Sequence, residues 1–376
     1  CTLSAVVRNP SYRDIRMNSI KTKFVLADSL FKIDSAELKL DSMSVLYCKG
    51  NIPVSIGRGW KPDPSADRKC KIFVQSSRLD LEYLSQTFKT DWKYKGKGLV
   101  SCEIGANGLG WNIKGIATAT GASLYNSKLK LRSHNVTIDT KIQGQLFKPD
   151  ISFTVNSGRV VYDRIRSDST AFTGLFSRDT VHITTGNVSL FNGGRLTADG
   201  VIPFDSLTYG IDESGVKLNC NLDNVALSEM NVFIGNELIR SGLLSADGAL
   251  GIVSGIPVVN GKVSVSNAVF AVDGVEPHIG PINGDFLLKD DTIKVVQCKG
   301  SWGRGSLESI GFIVWCPDSL KDVALNGRVR NLSADLPDIA STNIRNFGFS
   351  FSKRKSDFLF SGNADVGMTR FFRDIR

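Results

Sequence analysis

Residues 261–270 read GKVSVSNAVF, and this stretch decides how the chain folds. Val263 and Val265 alternate with Lys262 and Ser264, which is the period of a β-strand with one apolar and one polar face. Asn267 interrupts the alternation, and asparagine tolerates the positive φ that a bulge or turn requires. The stretch therefore predicts a half-buried strand that carries a local irregularity before its last apolar residues.

The same pattern occurs 146 positions earlier, where residues 115–124 read GIATATGASL, so that Gly115 corresponds to Gly261. The offset also aligns Gly96 with Gly242. Apolar residues upstream of each copy match as well: Leu79, Leu81, Leu84 and Phe88 in the first, and Val225, Leu227, Met230 and Ile234 in the second. Their spacing of three and four predicts a short amphipathic helix ahead of each set of strands.

Period-2 alternation extends through most of the chain, for example in residues 36–41, 128–132, 151–155, 216–222 and 347–351. A second motif begins with an aspartate followed by Ser or Thr and an apolar residue, at Asp28, Asp179 and Asp291, and leads to a glycine about 20 residues on, at Gly50, Gly200 and Gly311. Each occurrence predicts a polar hairpin tip and a return strand marked by glycine. The sequence thus predicts an all-β, antiparallel meander with a few short helices.

The repeat divides the chain into three predicted parts: a partial unit at 1–78, a full unit at 79–224, and a unit at 225–376 that runs into a partial next one. A third short helix is predicted near 332–340, where Pro337 limits its length. We expect the whole chain to be a segment of a longer protein, and the alternative interpretation of its first residue is a lipidated mature N-terminus at Cys1.

The composition excludes a disordered chain but does not identify the class of binding partner. The 376 residues are 41% hydrophobic and 22% charged, which is enough apolar material for a sizeable core. The net charge of +9 fits either an anionic partner or simple solubility. Basic residues lack regular aromatic interleaving, so no nucleic-acid partner is predicted. No apolar run approaches the 18 residues of a membrane-spanning helix.

The residues that could carry catalysis or bind a metal do not form a recognisable site. The histidines, His134, His182 and His278, are far apart in sequence, and no CxxC motif links the seven cysteines. The adjacent carboxylates Asp290 and Asp291 fall in a predicted turn. We therefore predict no enzymatic activity, no cofactor and no metal.

Three stretches together resemble the TamB family, which belongs to the wider AsmA-like group of inner-membrane-anchored proteins that span the periplasm. They are GLLSADGAL at 242–250, PVVNGKVSVSNAVF at 257–270 and VEPHIGPINGDF at 275–286. A weaker copy lies at 144–155, and the resemblance is best over 220–315. It consists of glycines and alternation rather than of a chemical signature.

The resemblance implies an elongated antiparallel sheet rolled into an open, taco-like or β-solenoid groove with an apolar interior. It implies a segment of a bridge-like protein that conducts phospholipids between inner and outer membranes, supports outer-membrane protein assembly, or does both. The implied partners are phospholipid acyl chains, a TamA-like β-barrel assembly protein, and the inner membrane through an N-terminal anchor. The implied compartment is the periplasm of a diderm bacterium.

Six strand residues are the candidates for lining such a groove: Val181, Ile183, Val263, Val265, Ile293 and Val295. The assignment of a face depends on register, because a shift by one residue moves every side chain to the other side. Two other functions stay open. One is a structural or adhesive β-solenoid whose core is filled by its own side chains, and the other is a glycan-active β-helix enzyme with a cluster of Asp and Glu.

Overall fold

The computed structural model describes residues 1–12, 15–27, 30–57, 59–62, 70–88, 91–107, 110–163, 165–205, 210–231, 237–253, 256–271, 278–316, 319–336, 340–354 and 357–371. These residues divide into two units by their packing. The first consists of Cys1–Val188 and Phe204–Gly210, and the second of Ser189–Pro203 and Ile211–Arg376. Strands β15 (Thr180–Leu190), β16 (Arg195–Asp205) and β17 (Gly210–Ile211) contribute residues to both.

The first unit is built almost entirely of strands. They are β1 (Thr2–Arg8), β2 (Ser11–Tyr12), β3 (Ile15–Arg16), β4 (Ser19–Ala27), β5 (Leu30–Lys39), β6 (Val45–Gly57), β7 (Gly59–Pro62), β8 (Cys70–Asp80), β9 (Trp92–Asn107), β10 (Gly110–Asn126), β11 (Leu131–Gln145), β12 (Lys148–Ser157), β13 (Val160–Tyr162) and β14 (Ile165–Ser177). A helix, α1 (Leu81–Phe88), lies between β8 and β9.

The second unit has the same character. Its strands are β18 (Lys217–Ala226), β19 (Ile239–Val253), β20 (Ile256–Phe270), β21 (Ile279–Lys289), β22 (Thr292–Trp302), β23 (Gly305–Cys316), β24 (Ser319–Leu336), β25 (Ala340–Arg354) and β26 (Asp357–Phe371). Two 3₁₀ helices, Glu213–Gly215 and Leu227–Met230, flank β18.

Strand pairing follows chain order, so each unit is an antiparallel meander. In the first unit the principal ladder runs β1, β4, β5, β6, β8, β9, β10, β11, β12 and β14. In the second it runs β16 and then β18 to β26. The predicted all-β antiparallel fold is confirmed.

The sequence repeat recurs as matched backbone geometry. Gly96 and Gly242 have φ of 127° and 124°, and an added Cβ would lie 2.8 and 2.7 Å from the Cα of Ala122 and Ala268. Those two alanines are fully buried and are again 146 positions apart. Only glycine fits a left-handed backbone in such close contact. The repeat therefore preserves a steric feature, while the predicted boundaries at residues 79 and 225 stay a prediction.

The predicted helices had different outcomes. The first is α1, and the second is the shorter 3₁₀ helix Leu227–Met230. The third, near 332–340, is wrong for its described part, because residues up to Leu336 belong to β24 and Leu336 pairs with Ala340 of β25. Backbone hydrogen bonds to a neighbouring strand override a weak local helical spacing.

Candidate functional site

The sheet of the second unit has one face that is apolar across ten consecutive strands. Directly paired residues on neighbouring antiparallel strands point to the same face, so the register traces a row of side chains. One row, from β16 to β26, reads Leu196, Leu222, Ala246, Val263, Phe286, Val295, Gly311, Leu325, Phe351 and Phe360. No member of this row carries a polar side chain.

The adjacent row on the opposite face differs sharply in composition. It reads Thr197, Asn221, Asp247, Lys262, Leu287, Lys294, Phe312, Ala324, Ser352 and Leu359. Polar and apolar side chains mix there, as on an ordinary solvated surface. We call the side of the first row, and of its counterpart in the first unit, the apolar face, and the other side the polar face.

The first unit repeats this arrangement. Its corresponding row, from β1 to β14, reads Ala5, Thr22, Ala36, Cys48, Val74, Cys102, Gly115, Ile142, Ile151 and Phe176. Thr22 is its one member with a polar side chain besides the two thiols. All ten residues are half-buried rather than buried. Each unit thus has its own apolar face.

Only part of this apolar material is buried. In the second unit, a cluster of Leu227, Ile239 and Ala268 is buried where the 3₁₀ helix covers the margin of the apolar face. Along the row just described for that unit, Val295 is 7% exposed, Phe360 is 63% exposed, and the members between Leu196 and Phe351 are otherwise half-buried. The 3₁₀ helix therefore covers one margin, and Val323 and Val329 of β24 are also buried on this face. Most members of the row itself are only half-buried.

The total accessible surface leads to the same conclusion. It is 24069 Å² for a mass of 40.9 kDa. Two compact folded proteins, each of half that mass, would together expose only about 17,700 Å². The chain therefore exposes more surface than two compact folds of that mass would.

Aromatic rings cover several glycines on the apolar face. The Phe349 ring lies over Gly327 on the neighbouring strand, where an added Cβ would come within 2.1 Å of the ring. Phe351 and Phe358 stack with their ring centroids 5.7 Å apart, and Phe349 and Phe360 with theirs 6.3 Å apart. The Phe349 ring thus fills the space that a side chain at Gly327 would occupy.

The described free thiols lie mainly on the apolar face. Cys48 and Cys102 belong to the first unit's row, and Cys220 and Cys298 pair with Gly248 and Gly284 in the second. Burial raises the pKa of each of these four thiols, and of Cys70. A thiol with a raised pKa stays protonated at neutral pH and acts as a small apolar group. Cys48, Cys220 and Cys298 thus act as small apolar groups in their strands.

Four of the six candidate groove residues lie together. Val263 pairs with Phe286, which pairs with Val295, and Ile293 pairs with Leu288 one step along the same strands. Val265 pairs with Gly284 on the same face. A role for these residues in lining a groove stays a prediction.

The other two candidates, Val181 and Ile183, lie in β15. Both are half-buried and alternate with exposed His182 and Thr184. Their alternation agrees with the sequence prediction, and their role likewise stays a prediction.

Sequence reasoning missed Cys102 and the rings over glycines as parts of this surface. Cys102 and Gly115 are 13 positions apart in sequence and become partners only through the β9–β10 register. The sequence signal for this pairing is the period-2 alternation that β9 and β10 share. Sequence alone does not align the two strands, because the alternation is the same in every register that differs by two residues.

The side chains that could carry catalysis or bind a metal are dispersed among the described residues. The three histidines are exposed, and Asp290 occupies a tight turn with φ of 56°. On the polar face, hydrogen bonds from Gln297 and Ser264 lower the pKa of Asp285. Within the described residues, no three metal-ligating side chains converge, and no helix has the length and apolar character needed to cross a membrane.

No family model, curated protein or solved structure matches this chain.

Proposed function

We propose that the chain binds phospholipid acyl chains on its apolar face, as a segment of a TamB/AsmA-like bridge that conducts lipids across the periplasm. The observation that carries the proposal is the row from Leu196 to Phe360, which crosses ten paired strands without a polar side chain. Such a surface is unfavourable in water unless something apolar covers it.

Acyl chains match this surface in chemistry and in size. Ten strands at about 4.8 Å spacing extend the row over roughly 43 Å along the sheet. A bilayer core that holds two lipid tails end to end is about 30 Å thick. One unit could therefore hold at least one tail along its row. Each methylene removed from water contributes about 0.8 kcal/mol, so partial coverage of one tail already gives a large driving force.

The proposal includes the wider role that the sequence resemblance implies. In the full-length protein, the segment would be tethered to the inner membrane, lie in the periplasm of a diderm bacterium, and meet a TamA-like outer-membrane partner. A rolled, groove-like sheet is part of the same proposal. No catalysis is required, because the sheet would only shield the lipid tails from water.

Native mass spectrometry of the chain, purified from membranes with mild detergent, tests the binding of lipid. We expect adducts with the mass of phospholipids. Phe286→Asn, on the apolar face, should reduce the adducts, whereas Leu287→Asn, the next residue on the same strand, should leave them unchanged. Leu287 is 38% exposed on the polar face and is a matched control.

Two results would favour the rival functions. The absence of lipid from a folded, monodisperse chain would favour a self-packed or adhesive sheet. Hydrolysis of a polysaccharide that is abolished by neutralising polar-face carboxylates would favour the glycan-active enzyme.

A further inference from the structure

Two hairpin tips in the first unit are bonded into one structure. The β10–β11 connection and the β13–β14 connection meet where the Asp163 N–H donates a hydrogen bond to the Lys130 carbonyl at 3.0 Å. The Lys130 ammonium also lies 3.1 Å from the Asp163 carboxylate. The two tips therefore present their side chains as one surface.

Large apolar side chains protrude from these tips. Leu129 is 49% exposed, Tyr162 is 49% exposed and Ile165 is 43% exposed. Tyr162 pairs with Ile165 across the second hairpin, so the two side chains lie on the same side. Exposed apolar groups clustered at a tip, rather than scattered, indicate contact with another apolar phase.

Cations occupy the other side of the same tips. A pocket of about 430 Å³ is lined by Tyr125, Lys130, Arg132 and Arg159, with the Arg132 guanidinium 5.3 Å from the Tyr125 ring centroid. Asp163 is the one acidic group among the described lining residues, and it already contacts Lys130. Arg132 and Arg159 thus leave an excess of positive charge.

The shared fold does not require these cations. At the offset of 146, Lys130, Arg132 and Arg159 correspond to Glu276, His278 and Gly305. The glycine and alanine positions that support the repeat are the same in both copies. A cluster that one copy has and the other lacks is therefore not explained by the stability of the repeat.

We propose that these tips, defined by Leu129, Lys130, Arg132, Arg159, Tyr162 and Ile165 and called the rim patch, dock the chain on the surface of an anionic bilayer. The cations would contact lipid phosphates while the apolar tips enter the interface. An aromatic ring, aliphatic side chains and basic residues together are typical of segments that lie at a membrane surface.

Docking by the rim patch goes beyond the proposed binding of acyl chains and depends on different residues. Hydroxyl groups lie between the rim patch and the apolar row, with the Ser133 and Ser157 oxygens 2.6 Å apart and the Ser167 and Thr170 oxygens 3.2 Å apart. Either activity can fail while the other persists.

Cosedimentation of the full chain with vesicles tests the docking. One vesicle is phosphatidylcholine alone, and the other contains phosphatidylglycerol as well. We expect binding to the mixed vesicle only, weakened by high salt because exposed charges are screened. Combining Lys130→Gln, Arg132→Gln and Arg159→Gln should weaken binding about 100-fold, at roughly 1 kcal/mol per cation.

A matched triple variant removes the same charge elsewhere. Lys262→Gln, Lys294→Gln and Lys299→Gln neutralise exposed lysines of the second unit and should leave vesicle binding close to normal. Leu129→Ser with Ile165→Ser should weaken binding without changing the net charge. Phe286→Asn should leave it intact, which separates docking from occupancy of the apolar face.

Three outcomes would overturn the proposal. The first is equal binding to both vesicles. The second is an equal loss of binding in the two triple variants, which would indicate only non-specific attraction. The third is binding of inorganic phosphate or an oligonucleotide that depends on Arg132 and Arg159, together with vesicle binding that does not depend on them.

Discussion

The two faces of the sheet are made by the same strands and yet obey different constraints. On β22, Val295 is 7% exposed on the apolar face, while the next residue, Val296, is 47% exposed. The residue type is the same, so the difference in exposure comes from the backbone, because Val296 is the extra residue of a β22 bulge and has no paired residue on β21 or β23. Neighbouring positions on one strand therefore give matched tests of what each face does.

The largest difference is expected from a new charge. Val295→Asp should lower the free energy of unfolding by about 3–5 kcal/mol, because an unpaired carboxylate would replace a buried methyl pair. Val296→Asp should change it by less than about 0.5 kcal/mol, as exposed substitutions usually do. Urea denaturation of both variants measures the contrast, and similar losses would mean that the two faces are equally packed.

A smaller difference is expected from added methyl groups. Gly327→Ala should cost about 1–3 kcal/mol, because its Cβ would meet the Phe349 ring at 2.1 Å. Gly348→Ala, on the polar face of the paired strand, would meet only the Asn363 side-chain oxygen at 2.9 Å. That side chain can move, so the cost should be smaller. Thermal unfolding of the two variants provides the comparison.

The smallest expected effect is a pH dependence of opposite sign on the two faces. Burial raises the pKa of Cys298 above its ordinary value of 9.0, so stability is full below that pH and falls as pH rises through the folded pKa. Hydrogen bonds lower the pKa of Asp285, so its contribution is lost as pH falls below its ordinary value of 3.8.

The loss of stability at high pH is called the alkaline limb, and the loss at low pH the acidic limb. Measuring the free energy of unfolding against pH in Cys298→Ala and Gln297→Ala shows which face causes each limb. Cys298→Ala should flatten the alkaline limb, and Gln297→Ala, which removes a hydrogen bond to Asp285, should flatten the acidic limb. An alkaline limb that is unchanged in Cys298→Ala would show that this thiol is not shielded from water.

The sequence predicts the strands well and the faces less well. Alternation identifies the strands because each has a dry and a wet side, and the match of Gly115 with Gly261 predicts the repeat. Because strands contain bulges, counting every second residue does not reliably assign side chains to a face. The register shifts between Val295 and Cys298, so these two residues, three positions apart, lie on the same face. That shift could not be inferred from the alternation alone.

The wrong prediction of a helix at 332–340 and the failure to predict the rim patch have the same cause. Local spacing favoured a helix, but pairing of β24 with β25, as at Leu332 and Ile344, decides the outcome. Arg132 and Arg159 are 27 positions apart and line one pocket only because β11 pairs with β13. Both depend on contacts between strands, which a single sequence does not contain.

The most direct test of the central claim uses a thiol that the apolar face already contains. Cys102 lies on the apolar face of β9, and Ser101, the next residue, is exposed on the polar face. Mass spectrometry would measure the rate of maleimide labelling at Cys102 in the unaltered chain. In a second chain that carries Ser101→Cys and Cys102→Ser, it would measure the rate at position 101. Phospholipid should slow labelling at Cys102 several-fold and leave labelling at position 101 unchanged. Equal rates at Cys102 with and without lipid, in a chain that binds the vesicle or micelle, would contradict the claim that acyl chains occupy the apolar face.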